Sequence, residues 1–457
     1  MPHTSLTAVR ARLERFASTT DPRTVLGPEA DAAARLLAES LQTSWSDEVA
    51  HAFGWFHWCR CMAQQTYEGP DFHHALELFR PLWARRPDMV PPAIDAVRPA
   101  VPDIATLTED GPVVVVNLAT ARSDAIVLAD GTATCVPLPR ADLKSAADRF
   151  MAFSSAVGVL HDPHQPAEQR WEAGTVVLDT LTWLWEAIAE PVVLSLGIEP
   201  GGDPLPRLWW CPTGILSFLP LHAAGRYTGG GAQGIADHVM SSYTTTLNAL
   251  RPKDAAHDRS RRSHVGRDPR LLVVATPQTP GAAPLRHAAA DAQALAELFP
   301  RSTVLTGEAA TKQAVLRELT EHSWAHFACH TQDGLLERTA NSLVLQDGSL
   351  SLPDITTLSL DAELVFLASS GSAAGPFHLA DEAHHVASSF QLAGFTHVIA
   401  TLWEIADGDA TEFTTNLYGL LAEGVPPAEA MHRVTRDLRE RYPRSPWLWA
   451  PYVHMGS

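Results

Sequence analysis

His330 is the residue best placed to do chemistry in this chain. It follows Trp324-Ala325-His326-Phe327-Ala328-Cys329, an apolar run whose composition predicts a buried strand. A histidine imidazole titrates at about pH 6.5, so it can take a proton from a nucleophile and return it to a leaving group. A second apolar run, Ala362–Ala368, predicts another buried strand and ends in Ser369-Ser370-Gly371-Ser372. If the two strands are neighbours, His330 and Ser370 meet at one edge of a sheet. A cysteine in the second position would form a thiolate–imidazolium pair and attack a peptide carbonyl, whereas a serine hydroxyl needs a well-aligned base. Gly371 and Ser372 leave room for a substrate backbone, and the amide N–H of residue 370 suits an oxyanion hole. Spacing alone is a weak signal, because a histidine after a strand is more often a core or loop residue than a catalytic one.

The surrounding elements put both residues at strand tips. From Arg270 onward, strands over 271–275, 303–305, 324–330, 362–368 and 397–401 alternate with helices over 288–298, 312–320, 381–393 and 411–421. A last helix over 427–440 and a short strand over 449–455 follow. Such alternation predicts a mostly parallel sheet with helices on both faces, whose active sites gather at the carboxyl ends of strands. Upstream, Val113–Leu118 and Ala125–Leu128 predict a β-hairpin, and Asp130-Gly131 leads into a third strand, Thr132–Leu138. Helices fill 141–197, and Leu208–Cys211 reads as a strand.

Residues 1–95 read as helices, with Phe53, Phe56 and Trp58 as core positions, and the Pro-rich stretch 87–102 as a linker. Residues 251–268 are almost free of apolar side chains, which predicts a solvated loop open to proteolytic nicking.

Bulk properties exclude several classes. The 457 residues suffice for two or three domains, and 46% hydrophobic with 19% charged residues is a globular balance. A formal net charge of −18 argues against bulk binding of nucleic acid or an anionic membrane. The five cysteines are odd in number and scattered, supporting neither a zinc ribbon nor a disulfide framework, so a reducing cytoplasm is the expected location. No signal peptide and no membrane span are expected. His73-His74, His384-His385 and His222 lack metal-ligand spacing, and no cofactor or metal is expected.

A set of motifs adds a resemblance. His326-Phe327-Ala328-Cys329-His330, then Asp381-Glu382, Ala387, Phe390, Ala393-Gly394 and Thr401-Leu402-Trp403-Glu404, resemble the catalytic half of the CHAT family. These are caspase-like peptidases associated with tetratricopeptide repeats, related to separase. Trp447, Trp449-Ala450 and Gly456 resemble its C-terminal signature. Trp210-Cys211-Pro212-Thr213-Gly214, Leu219–Gly225 and Arg122-Ser123-Asp124-Ala125 resemble the upstream half, so the likeness covers residues 100–457.

The resemblance implies a caspase-like, mostly parallel α/β sheet flanked by helices, with a preceding supporting α/β subdomain and an N-terminal helical unit like tetratricopeptide repeats. The implied division is 1–95 helical, 96–265 supporting and 266–457 catalytic. It implies a cysteine endopeptidase in which residue 370 attacks, His330 shuttles the proton, and the backbone amides of Thr331 and Ser370 hold the oxyanion. It also implies a protein substrate, a role in bacterial defence or cell death, and an activating protein partner on the N-terminal helices.

Two departures stand out. The family's nucleophilic Cys is Ser370 here, and the Gly after its His is Thr331. An introduced Cys-to-Ser change that leaves the protease inactive, a natural pseudoprotease used as an interaction module, and a serine hydrolase all remain open; the first is the reading adopted. For substrate selection, Asp381, Glu382, Glu404, Asp407 and Asp409 lie in segments that line the pocket in caspase-like folds, which suggests cleavage after a basic residue. Capping competes with that role: Asp381 and Glu382 at one helix start, and Asp409 ahead of a helix at Thr411.

Overall fold

Leu271–Ala275 and Trp324–Ala328 are strands with every residue buried, as expected of runs that are apolar throughout except for His326 and covered on both faces. The computed structural model describes the chain apart from residues 1, 20, 44, 65–69, 87–88, 91–103, 163, 229–230, 251–268, 279–283, 333–341, 369–384, 404, 406 and 457. The chain divides into two units, Met1–Val101 and Pro102–Ser457.

In the first unit, helices Pro2–Thr19, Pro28–Thr43, Asp47–Gln64 and Pro70–Arg85 follow one another. Val9, Leu37 and Phe56 are fully buried in one cluster, and Phe79 and Leu82 in a second with Trp58. Phe56 and Trp58 of the third helix are therefore core, as their spacing suggested, while Phe53 is only partly buried against the first cluster. Arg60 ties this unit together: it donates to Asp31 at 2.7 Å, to Asp71 at 3.2 Å and to the Val25 carbonyl at 3.1 Å.

The second unit is built on strands β1 (Val113–Asn117), β2 (Asp124–Ala129), β3 (Thr132–Pro137), β4 (Arg207–Pro212), β5 (Gly225–Thr228), β6 (Gly231–Gly234) and β7 (Met240–Tyr243). They continue as β8 (Leu271–Ala275), β9 (Thr303–Thr306), β10 (Trp324–Ala328), β11 (Thr331–Gln332), β12 (Ser342–Leu345) and β13 (Gly348–Leu350). The last three are β14 (Ala362–Leu367), β15 (Phe395–Thr401) and β16 (Tyr452–Gly456). Eleven of them form one sheet in the order β3-β2-β1-β4-β7-β16-β15-β14-β10-β8-β9, while β11-β12-β13 and β5-β6 are separate small sheets. Asp130 and Gly131, both at positive φ, make the tight turn between β2 and β3.

Direction divides the large sheet. β1, β4, β7 and β16 are mutually parallel, and so are β15, β14, β10, β8 and β9. The two blocks meet antiparallel at β16 and β15. The chain segments before and after the polar stretch 251–268 thus share a single sheet, and the C-terminal strand β16 sits between them. Helix Arg286–Leu298 connects β8 to β9, helix Lys312–Leu319 connects β9 to β10, and helix His385–Ala393 precedes β15.

In the second block the spatial order is β9-β8-β10-β14-β15, so the winding reverses between β8 and β10. In open α/β sheets, ligands bind in the crevice beyond the carboxyl ends of strands at such a reversal.

One expectation needs correction. The helix placed at Thr411 begins at Asp407 and runs to Ala422. Asp409 therefore lies within its first turn and does not cap a helix beginning two residues later.

Candidate active site

β10 carries its chain directly to the reversal point. Trp324 at its start donates from Nε1 to Glu363 Oε2 of β14 at 2.9 Å. At its end the Ala328 carbonyl accepts the N–H of Thr276, the residue just after β8, at 3.0 Å. Two residues on, the His330 carbonyl accepts the Val344 N–H at 2.8 Å. The backbone on either side of the imidazole is thus held by the neighbouring strand and by the small sheet β11-β12-β13. His330 is half-buried.

Thr331 faces Leu343 in the antiparallel pair of β11 and β12. The adjoining bond between His330 and Val344 makes this a non-hydrogen-bonded pair, so the Thr331 N–H points away from β12.

Cys329, beside His330, is not an alternative nucleophile. It is fully buried, and burial pushes its thiol up to about 12.

β14 is the parallel neighbour of β10, with Phe327 opposite Leu367. The two strands expected to be adjacent are adjacent. Ser370, Asp381, Glu382 and Glu404 lie outside the described residues, while Asp407 and Asp409 occupy the first turn of helix Asp407–Ala422. Among the described residues, no cluster of three or more His, Cys, Asp or Glu side chains is arranged to hold a metal ion. No described helix is long and apolar enough to cross a membrane.

The CHAT domain matches residues 178–457, more than half of the chain. This chain belongs to the CHAT-domain family. No curated protein matches it in sequence. Two structures of the Saccharomyces cerevisiae separase–securin complex, at 2.6 and 3.0 Å resolution, are similar over 100% of this chain, with TM-scores of 0.54 and 0.58 and 11% identity. At that identity the likeness concerns the fold, and the CHAT chain spans 40% of the chain it matches. The mostly parallel, helix-flanked sheet of this CHAT protein is thus a separase-like, caspase-like architecture.

Sequence reading passed over a buried polar cluster beneath β10 in the CHAT domain. His326 and Asp291 are both fully buried, 3.8 Å apart between Nε2 and Oδ2. Thr414 donates to Asp291 at 3.4 Å, and the Tyr418 hydroxyl stands 3.4 Å from His326 Nδ1. Burial, reinforced by Asp291, raises the Tyr418 phenol well above its ordinary value. The cluster links β10 to helices Arg286–Leu298 and Asp407–Ala422. The available signal was a histidine at an inward position of a strand that is otherwise wholly apolar.

Proposed function

We propose that this CHAT protein has the site of a caspase- and separase-like cysteine endopeptidase, with His330 as proton shuttle and residue 370 as the attacking position. The observation that carries the reading is the placement of His330 beyond β10 at the winding reversal, beside the strand that leads to residue 370. An imidazole there would deprotonate a nucleophile and later protonate the leaving amine, and the Thr331 and Ser370 amides would hold the oxyanion. With Ser370 in place of Cys, the pocket binds a protein substrate but turns it over poorly, because a site shaped for a thiolate gives a hydroxyl little activation. The substrate is a polypeptide cut after a basic residue, selected by Asp381, Glu382, Glu404, Asp407 and Asp409.

A second reading is favoured by the paired departures at Ser370 and Thr331: a natural pseudoprotease that uses the same cleft to hold a protein partner. The two separate on one assay. Ser370→Cys is expected to cleave a peptide library detectably above the parent chain. A folded Ser370→Cys protein without cleavage supports the pseudoprotease, and strong cleavage by the parent chain supports a serine hydrolase.

A further inference from the structure

Within the first block of the large sheet, the seam between β7 and β16 is held by side chains. β16 meets β7 through one register pair, Met455 with Tyr243, whereas β16 meets β15 along five residue pairs from His397–Gly456 to Thr401–Tyr452. A chain of polar side chains crosses that thinly paired seam. Arg207 of β4 donates from Nη2 to Ser242 Oγ of β7 at 3.1 Å. Ser242 Oγ lies 2.9 Å from His454 Nδ1 of β16, and His454 Nε2 lies 3.1 Å from His397 Nδ1 of β15. Arg207 and Trp209 also donate to the Gly456 carbonyl, at 3.4 and 2.8 Å, and Arg207 lies over the Trp209 ring at 4.1 Å.

Donor accounting gives this array a direction. The Arg207 guanidinium can only donate, so the Ser242 hydroxyl accepts from it and turns its own hydrogen toward His454 Nδ1. His454 then carries its hydrogen on Nε2 and donates to His397 Nδ1. An added proton breaks that order. With both His397 nitrogens protonated, Nδ1 no longer accepts, and an N–H faces an N–H. The alternative is for His454 to move its hydrogen to Nδ1, leaving Ser242 to accept from two donors. Either state places a second positive charge in line with Arg207. Burial, His397 and Arg207 all hold the His454 imidazole well below its ordinary value.

Other titratable groups lie on the opposite face. By strand alternation Tyr243 points there, and its hydroxyl stands 2.8 Å from His222 Nδ1. His222 and His432 of helix Pro427–Arg441 line a cavity of about 30 Å³ that His454 of the array also borders, with Arg436, Arg439 and Asp237 acting on His432.

We propose that the Arg207–Ser242–His454–His397 array is a proton-sensitive latch, which holds β16 against β7 while its two imidazoles are neutral and releases β16 from β7 when it takes up a proton. Amide hydrogen exchange of the full chain, compared at about pH 7.5 and about pH 5.5 after correction for intrinsic rates, tests it. Peptides covering β7 and β16 should exchange about tenfold faster at the lower pH, relative to peptides covering β1 and β2. His454→Gln keeps an N–H donor toward His397 but cannot ionise, so it should abolish that selective acceleration, while His222→Gln should retain it. Should His454→Gln fail to fold, His397→Gln carries the same test from the half-buried end of the array. Equal acceleration across the sheet, or an acceleration that survives His454→Gln and vanishes in His222→Gln, would overturn the latch.

Discussion

Phe327 and Leu367 lie opposite one another in the parallel ladder of β10 and β14, and each stands three residues before a position assigned to chemistry, His330 and Ser370. Equal spacing from a shared register is what a two-residue catalytic pair needs from its scaffold. If His330 is the proton shuttle, His330→Ala in the Ser370→Cys background should lower kcat/KM by about a thousandfold, within the usual range for a general base. The Ser370→Cys single variant supplies the reference rate. A loss of less than about tenfold would remove His330 from the mechanism.

The proposed cleavage after a basic residue makes charge the property to change. Charge-neutralising changes Asp381→Asn and Glu404→Gln, again with Ser370→Cys, should weaken any preference for Arg or Lys before the cut by about tenfold each, the scale of a charge-assisted hydrogen bond. Peptide-library profiling reads this directly. A preference for Asp or an apolar residue at that position would reject the basic-residue proposal.

Cysteine reactivity offers a check on the packing. Burial pushes the thiols of Cys59 and Cys329 up to about 12 and that of Cys211 up to about 11, and it raises Cys61 as well. Cys135 on edge strand β3 is exposed. One thiol per chain should react promptly with a thiol-specific reagent in the native state, and all five after denaturation. Prompt labelling of Cys329 would contradict the closed packing behind His330.

Acid should destabilise the fold through His222. Burial holds its imidazole down at about 4, against the weaker opposing effect of the Ala450 carbonyl. In the unfolded chain it titrates at about 6.5. Between those values the native state binds fewer protons, so the stabilisation is complete above about pH 6.5 and is lost as pH falls toward 4. Denaturant midpoints measured across that window should fall, and His222→Gln should flatten the fall by a contribution on the order of 2 kcal/mol.

Gly394, in the turn before β15, should tolerate no side chain. Its φ is +127°, and a Cβ built there would stand 1.9 Å from the Leu360 carbonyl oxygen. Gly394→Ala should lower stability by about 2–4 kcal/mol, read as a drop in Tm, because both the backbone angle and the β15 entry must shift. An unchanged Tm would show that the turn relaxes freely.

Much of the fold was legible from local pattern. Leu271–Ala275 is an unbroken apolar run and Trp324–Ala328 is apolar except for His326, a pattern that suits strands covered on both faces, and Asp130-Gly131 marks a hairpin turn. The short strands β5, β6 and β11–β13 were not legible, because two to four residues carry too little periodicity to register. The helix at Asp407 began earlier than expected, since Asp-Gly-Asp reads as a turn by its own propensity.

By itself, then, the sequence determined where the longer strands and helices lie, and that His330 and Ser370 each follow a buried strand, although the strand expected over 324–330 ends at Ala328. Hydrophobic periodicity is local, and a strand's own residues decide it. The tertiary structure decided that β14 is the neighbour of β10, that the winding reverses at β8 and β10, and that β16 crosses to join two oppositely directed blocks. It also brought Arg207, Ser242, His454 and His397 into one line from four separate strands. Strand pairing joins residues hundreds of positions apart, and no local pattern records which partner burial will select.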